Sequence, residues 1–95
     1  MNEELINKII DLAKLYHVTK LIQFGSSIES FETCIDVDFA CDGIYDKNFF
    51  KFGASLEKLL KKQIDLIPLK PTGPFIEHII KQGRTLYDES TDNRD

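Results

Sequence analysis

The chain has 95 residues, of which 42% are hydrophobic and 29% charged, and its formal net charge is −4. That length suits one domain with one modest core. The acidic balance argues against a dispersed cationic surface that would hold nucleic acid through its phosphates, and no apolar run approaches the roughly 20 residues that span a bilayer. The opening MNEELINKII is acidic and polar, unlike a secretory signal, so the expected compartment is the cytoplasm. Cys34 and Cys41 have no second pair to make a zinc site. They are expected as free thiols, Cys34 in a loop and Cys41 as a small core hydrophobe.

Leu5, Ile6, Ile9, Leu12, Ala13 and Tyr16 recur at helical spacing, which predicts an amphipathic helix over 3–16. Asn2 is its expected cap, and Glu3 and Glu4 suit its positive end. KLIQF (20–24) reads as a strand stopped by a turn at Gly25-Ser26, with a short helical turn at 26–31. In IDVDFAC (35–41), Val37, Phe39 and Cys41 alternate with Asp36, Asp38 and Ala40, the pattern of a strand with one face in the core. Asp46 opens a helix over 47–62 whose buried stripe is Phe49, Phe52, Leu56, Leu59 and Leu60. The cluster Lys51, Lys58, Lys61 and Lys62 reads as its solvated face. QIDLIPL (63–69) predicts a third strand. A third helix starts at Pro74 and stops at Gly83, the latter expected in the left-handed conformation just past a helix end. RTLYD (84–88) predicts one last short strand, and ESTDNRD a flexible tail. The fold class is therefore α+β: a single domain over 1–88, with a small mixed sheet of three or four strands covered by helices, and a tail over 89–95.

Aspartate is depleted from strands, yet three fall within the second and third of these. Asp36 and Asp38 are two residues apart and must share a face. If Ile64 and Leu66 face the core, Asp65 faces away from it, and pairing the strands in register brings all three carboxylates together. Two like charges about 4 Å apart repel by roughly 4 kcal/mol at an effective dielectric of 20. A divalent cation reverses that sign, and carboxylates, water and phosphates are the ligands that Mg2+ selects. Gly25, Ser26 and Ser27 lie where a strand gives way to a helical turn, so backbone N–H groups there point at an anion and Ser26 adds a hydroxyl. A lone Asp-x-Asp is most often exposed strand-edge charge, and a Gly-Ser turn alone is weaker still. The ordered set predicts a site with metal on Asp36, Asp38 and Asp65 and a triphosphate on Gly25, Ser26 and Ser27. His17 and His78 are isolated and receive no role, and Tyr87 is expected to pack the last strand.

The succession Phe24-Gly25-Ser26, nine residues, Asp36-Val37-Asp38-Phe39, then Asp65 in QIDLI and a closing IIKQGRTLYDE (79–89) resembles the minimal nucleotidyltransferases of the DNA polymerase β-like superfamily. The resemblance runs from the first helix to Tyr87. It implies a mixed sheet with flanking helices and two-metal transfer of a nucleoside monophosphate. Asp36 and Asp38 would hold the metals, and Asp65 would be catalytic, ligating the second metal and helping an acceptor hydroxyl lose its proton. Chains this small are similar to the antitoxin partners of HEPN-type ribonuclease toxins. That similarity implies Mg2+ as cofactor, ATP as substrate and AMP as the group moved to a toxin tyrosine, in an assembly with that toxin rather than with nucleic acid or membrane. The segment Ser27–Ser30 lacks the Arg and Gly that often follow Gly-Ser in the family, Ile35 stands where a Ser often precedes the first Asp, and Glu29 and Glu32 make the loop acidic. Two other readings stay open. One is a module that neutralises its partner by contact alone. The other is a transferase for a small molecule, for which the chain is short of an acceptor pocket.

Overall fold

Asn2 starts the first helix, α1 (Glu3–Leu15), by accepting the Leu5 N–H at 2.8 Å through its side chain. The computed structural model describes residues 1–91. After α1 the backbone turns left-handed at His17 (φ 65°) and enters β1 (Lys20–Phe24). One short turn, α2 (Ser27–Ser30), leads to β2 (Asp36–Asp42), and α3 (Asp46–Leu60) carries the chain to β3 (Gln63–Pro68). Then α4 (Pro74–Gln82) leads to β4 (Arg84–Asp88).

The four strands make one mixed sheet in the order β3-β2-β1-β4. β1 lies antiparallel to β2 and β4, whereas β2 and β3 run parallel, a pairing that needs a crossover, here α3. The expected α+β class and its mixed sheet are what the chain forms, with four strands. One face presents Leu21, Val37, Phe39, Cys41 and Leu86 to Ile9 and Ala13 of α1 and to Phe52, Leu56 and Leu60 of α3. The opposite face is covered over part of its area, where Ile22 and Ala40 pack with Leu69 and Ile79 of α4. Beyond that small cluster lies the end of the sheet that carries the aspartates.

α3 stops at Leu60, two residues before the expected end. Lys61 turns left-handed (φ 58°) and its N–H closes on the Glu57 carbonyl at 2.7 Å. The expectation that Gly83 is left-handed is corrected, for its backbone is extended (φ −77°, ψ 171°). The glycine is required by space instead: a Cβ there would lie 2.6 Å from the Ile79 carbonyl oxygen and 2.9 Å from that of Gln23.

Of the lysine cluster, Lys51, Lys58 and Lys61 are exposed, while Lys62 is half-buried, bonds to the Cys34 carbonyl at 2.8 Å and lies 5.0 Å from the Phe31 ring centre. Both cysteines are free. Burial, and next the charge of Asp42, push the Cys41 thiol up to about 12. Tyr87 packs against the main core. Within the expected tail 89–95, the Glu89 N–H bonds to the Thr19 carbonyl and that of Thr91 to Asp88, and residues 92–95 lie outside the described residues. Among the described residues no helix is long and apolar enough to cross a membrane.

Candidate functional site

Alternation along β2 sends Val37, Phe39 and Cys41 into the main core and leaves Asp36 and Asp38 on the other face. The same alternation in β3 packs Ile64 and Leu66 against the core and exposes Asp65. Register does the rest. Asp38 stands opposite Asp65 in the parallel pair and opposite Phe24 in the antiparallel pair, so Asp65, Asp38 and Phe24 form a row across the open face. Neighbours in such a row are about 4.8 Å apart along the hydrogen-bonding direction. Asp36 is on the same face, two residues along β2 from Asp38, beside Gln63.

Such proximity is visible in the acid–base behaviour of Asp38. Its carboxyl is held above the ordinary value of 3.8, first by partial burial, then by the charge of Asp65 and a hydrogen bond with it, and last by the charge of Asp36. Crowding of this kind favours a proton or a cation between the carboxylates.

Gly25 ties the turn to this row. It sits just after β1 with φ +81°, where side chains are strained, and a Cβ placed on it would run into the Asp38 carboxylate. The close approach of backbone and carboxylate therefore requires glycine. Ser26 is exposed and its hydroxyl makes no capping bond. Ser27, by contrast, is 1% exposed, and its hydroxyl accepts a hydrogen bond from Gln23 Nε2 at 2.9 Å. Its hydroxyl thus faces inward, and the residue as a whole is buried beneath the turn. Gly25, Ser26, Ile28, Glu29, Ser30 and Gln82 line a cavity of about 400 Å³ beside the turn, within the range of small-molecule sites. A somewhat larger hollow of about 460 Å³ lies between α1 and α3, over Leu12, Leu15 and Leu59, and none of the three aspartates lines it.

The donor set fits Mg2+. It consists of carboxylate oxygens alone, next to a turn that leaves room for phosphate. Among the described residues no three His, Cys, Asp or Glu side chains are already drawn into a cage. Mg2+ does not ask for one, since it is commonly held by one or two carboxylates together with substrate phosphates and water.

The family profile described as "polymerase beta, nucleotidyltransferase" matches residues 7–92. The chain belongs to that nucleotidyltransferase family. Solved structures share its fold. The toxin–antitoxin MntA–HepT superposes with a TM-score of 0.68 at 20% identity, over 97% of this chain and 77% of that one. A toxin–antitoxin with AMP-PNP gives 0.72 at 21% identity, over 92% and 76%. A tri-AMPylated HEPN toxin of Shewanella oneidensis in complex with MNT antitoxin gives 0.70 at 20%, over 98% and 77%. At these identities the likeness is one of fold. No curated protein sequence matches the chain.

Asp36, Asp38 and Asp65 of this nucleotidyltransferase thus share one face, and Gly25 and Ser26 adjoin them. Two further residues of the site went unread in the sequence. Gln23, the one polar residue among KLIQF apart from its leading lysine, bonds to Ser27, and its polarity within an apolar strand was the available signal. Gln82, on the cavity wall, carried no such signal, because only the packing of α4 brings it there.

Proposed function

We propose that this nucleotidyltransferase transfers AMP from ATP to a tyrosine hydroxyl of a HEPN-type ribonuclease toxin, acting as its antitoxin in the cytoplasm. One observation carries the reading: Asp65 stands opposite Asp38, on the face shared with Asp36, with the Gly25 turn pressed against the same carboxylate. Family membership supports it, as do the antitoxins of like fold, one in a complex with AMP-PNP and one with an AMPylated toxin.

Gly25 and Ser26 receive the triphosphate through backbone N–H groups and the Ser26 hydroxyl, and the buried Ser27 holds the turn from beneath. Asp36, Asp38 and Asp65 would hold Mg2+, which when bound neutralises the triphosphate and stabilises attacking and leaving oxygens. The acceptor oxygen forms its bond to the α-phosphorus while the bond from that phosphorus to the bridging oxygen breaks. Pyrophosphate leaves with the electron pair, and Asp65, at the β3 end of the carboxylate row, takes the phenolic proton. The chain thus positions two substrates and manages one proton.

A second reading is favoured by a specific feature. Glu29 lines the cavity at Gly25–Ser26, an unsuitable neighbour for a triphosphate. Under that reading the chain neutralises its partner by contact and transfers nothing. Incubation with ATP, Mg2+ and the partner toxin, followed by intact-mass measurement, separates the two. Transfer adds the mass of one adenylyl group (AMP less water) to the toxin, and the D36N/D38N double variant abolishes both that gain and neutralisation. Neutralisation that survives in the double variant with no added mass establishes the contact reading.

A further inference from the structure

We infer that Gln23 is a positioning residue, whose buried amide sets the Gly25–Ser27 turn in the conformation that receives the triphosphate. The inference rests on the nucleotide reading above. Gln23 lies in β1 between Ile22 and Phe24, and it is only 1% exposed. Alternation puts it on the face of Leu21, which is fully buried in the main core. A leucine would satisfy both the strand and that core. The chain instead buries an amide there, and among the described residues its Oε1 is a buried side-chain oxygen with no hydrogen-bond partner. Exchanging the amide's oxygen and nitrogen changes nothing in this count, because one end would still bond to Ser27 and the other would be left over. Buried polar groups destabilise unless bonded, so an amide that leaves one end unpaired calls for a reason.

Its one bond supplies that reason. Nε2 donates to Ser27 Oγ, four residues on, and the link spans Gly25 and Ser26. Both neighbours of this link are intrinsically loose. Gly25 occupies a backbone region that glycine enters and leaves freely. α2 is a single turn of four residues, too short to hold itself together. A bond from the rigid interior of β1 to the first residue of α2 removes that freedom before any ligand arrives. A preset turn binds more tightly than one that must be ordered on binding.

The test compares wild type with Gln23→Leu and, should leucine's branching disturb the core, Gln23→Met. Backbone order parameters from 15N relaxation are measured for Ser26, Ser27 and Ile28, alongside the Kd for ATP with Mg2+ and the melting temperature. Both variants should melt at or above the wild-type temperature, show lower order parameters in the turn, and bind ATP with a Kd raised roughly five-fold, the worth of one neutral hydrogen bond. In a double-mutant cycle, Ser27→Ala should loosen the turn in wild type and change nothing in the Gln23→Leu background. Unchanged order parameters and an unchanged Kd in both variants overturn the inference, as does a large fall in melting temperature, which would make the amide part of core packing. A wild-type chain that binds no ATP overturns the nucleotide reading instead, and the order parameters still decide whether Gln23 sets the turn.

Discussion

Gly25 and Asp38 are the pair on which the site turns at the scale of single residues. A Cβ at position 25 meets a carboxylate in a region of positive φ, so Gly25→Ala suffers both strain and collision. The expected outcome is a loss of about 1–3 kcal/mol in urea unfolding, with loss of ATP binding by calorimetry. Asp38 makes a prediction about pH. Its carboxyl is held above the ordinary value of 3.8 in the folded, metal-free protein, by burial first and by Asp65 next. The native state therefore holds the Asp38 proton more tightly than the unfolded chain does. The stability this contributes is fully present below pH 3.8 and is lost as pH rises through the folded value. Asp38→Asn removes a like charge from directly opposite Asp65. At neutral pH in EDTA it should stabilise the fold by roughly 0.2–1 kcal/mol, a gain that fades below pH 4 in thermal melts. A neutral-pH melt unmoved by the change would show that the carboxylates do not repel. Under the proposed function the same substitution should also weaken Mg2+ binding, so it should gain stability and lose ligand binding together.

At the scale of elements, α4 decides how much of the carboxylate face stays open. It reaches the sheet through Ile79, packed on Ile22 and Ala40, and its C-terminus presses Gly83 against the backbone of β1. That contact explains an extended glycine at a helix end, where a left-handed one is the usual choice. Two backbone carbonyls stand where a Cβ would go, and neither can swing aside as a side chain could. Gly83→Ala should therefore cost about 1–3 kcal/mol or more, measured by urea unfolding, by forcing α4 from the sheet. Ile79→Ala should cost about 2–5 kcal/mol by the cavity it leaves. If Gly83→Ala proved neutral, the seating of α4 described above would be wrong. The parallel pairing of β2 and β3 is the other element-level requirement. It depends on the α3 crossover, and it sets two aspartates side by side where an antiparallel hairpin would have needed only a tight turn.

For the molecule as a whole, the prediction is one of linkage. A ligand that binds the folded chain alone stabilises it by about 2.7 kcal/mol at one hundred times its Kd. ATP with Mg2+ should therefore raise the melting temperature by several degrees, and the D36N/D38N variant should show no shift. A wild-type melt that ignores ATP and Mg2+ would remove the nucleotide from the account and leave the contact reading. Much of this was legible from residue order. The spacing in α1, the alternation in β2 and the position of Pro74 each announce their element, because helix and strand periods are local properties of the chain. The site was legible in part. Three aspartates misplaced in strands pointed to it, whereas Ser27 was assigned by adjacency to Ser26, and adjacency does not tell which way a hydroxyl turns. Gln82 was invisible for a related reason, since it is distant in sequence from everything it faces.

What residue order settled by itself was which side chains share a face, since neighbours two apart in a strand have no choice in the matter. That placed Asp36 with Asp38, and Asp65 away from the core. What only the tertiary structure decided was the meeting of those two groups, the Gln23 bond to an inward-facing Ser27, and the partial cover of α4. The first and last of these rest on strand order, register or packing between segments far apart in the chain, where a shift by one residue would turn every side chain to the other face. The Gln23 bond, though local, depends on how the chain turns at Gly25.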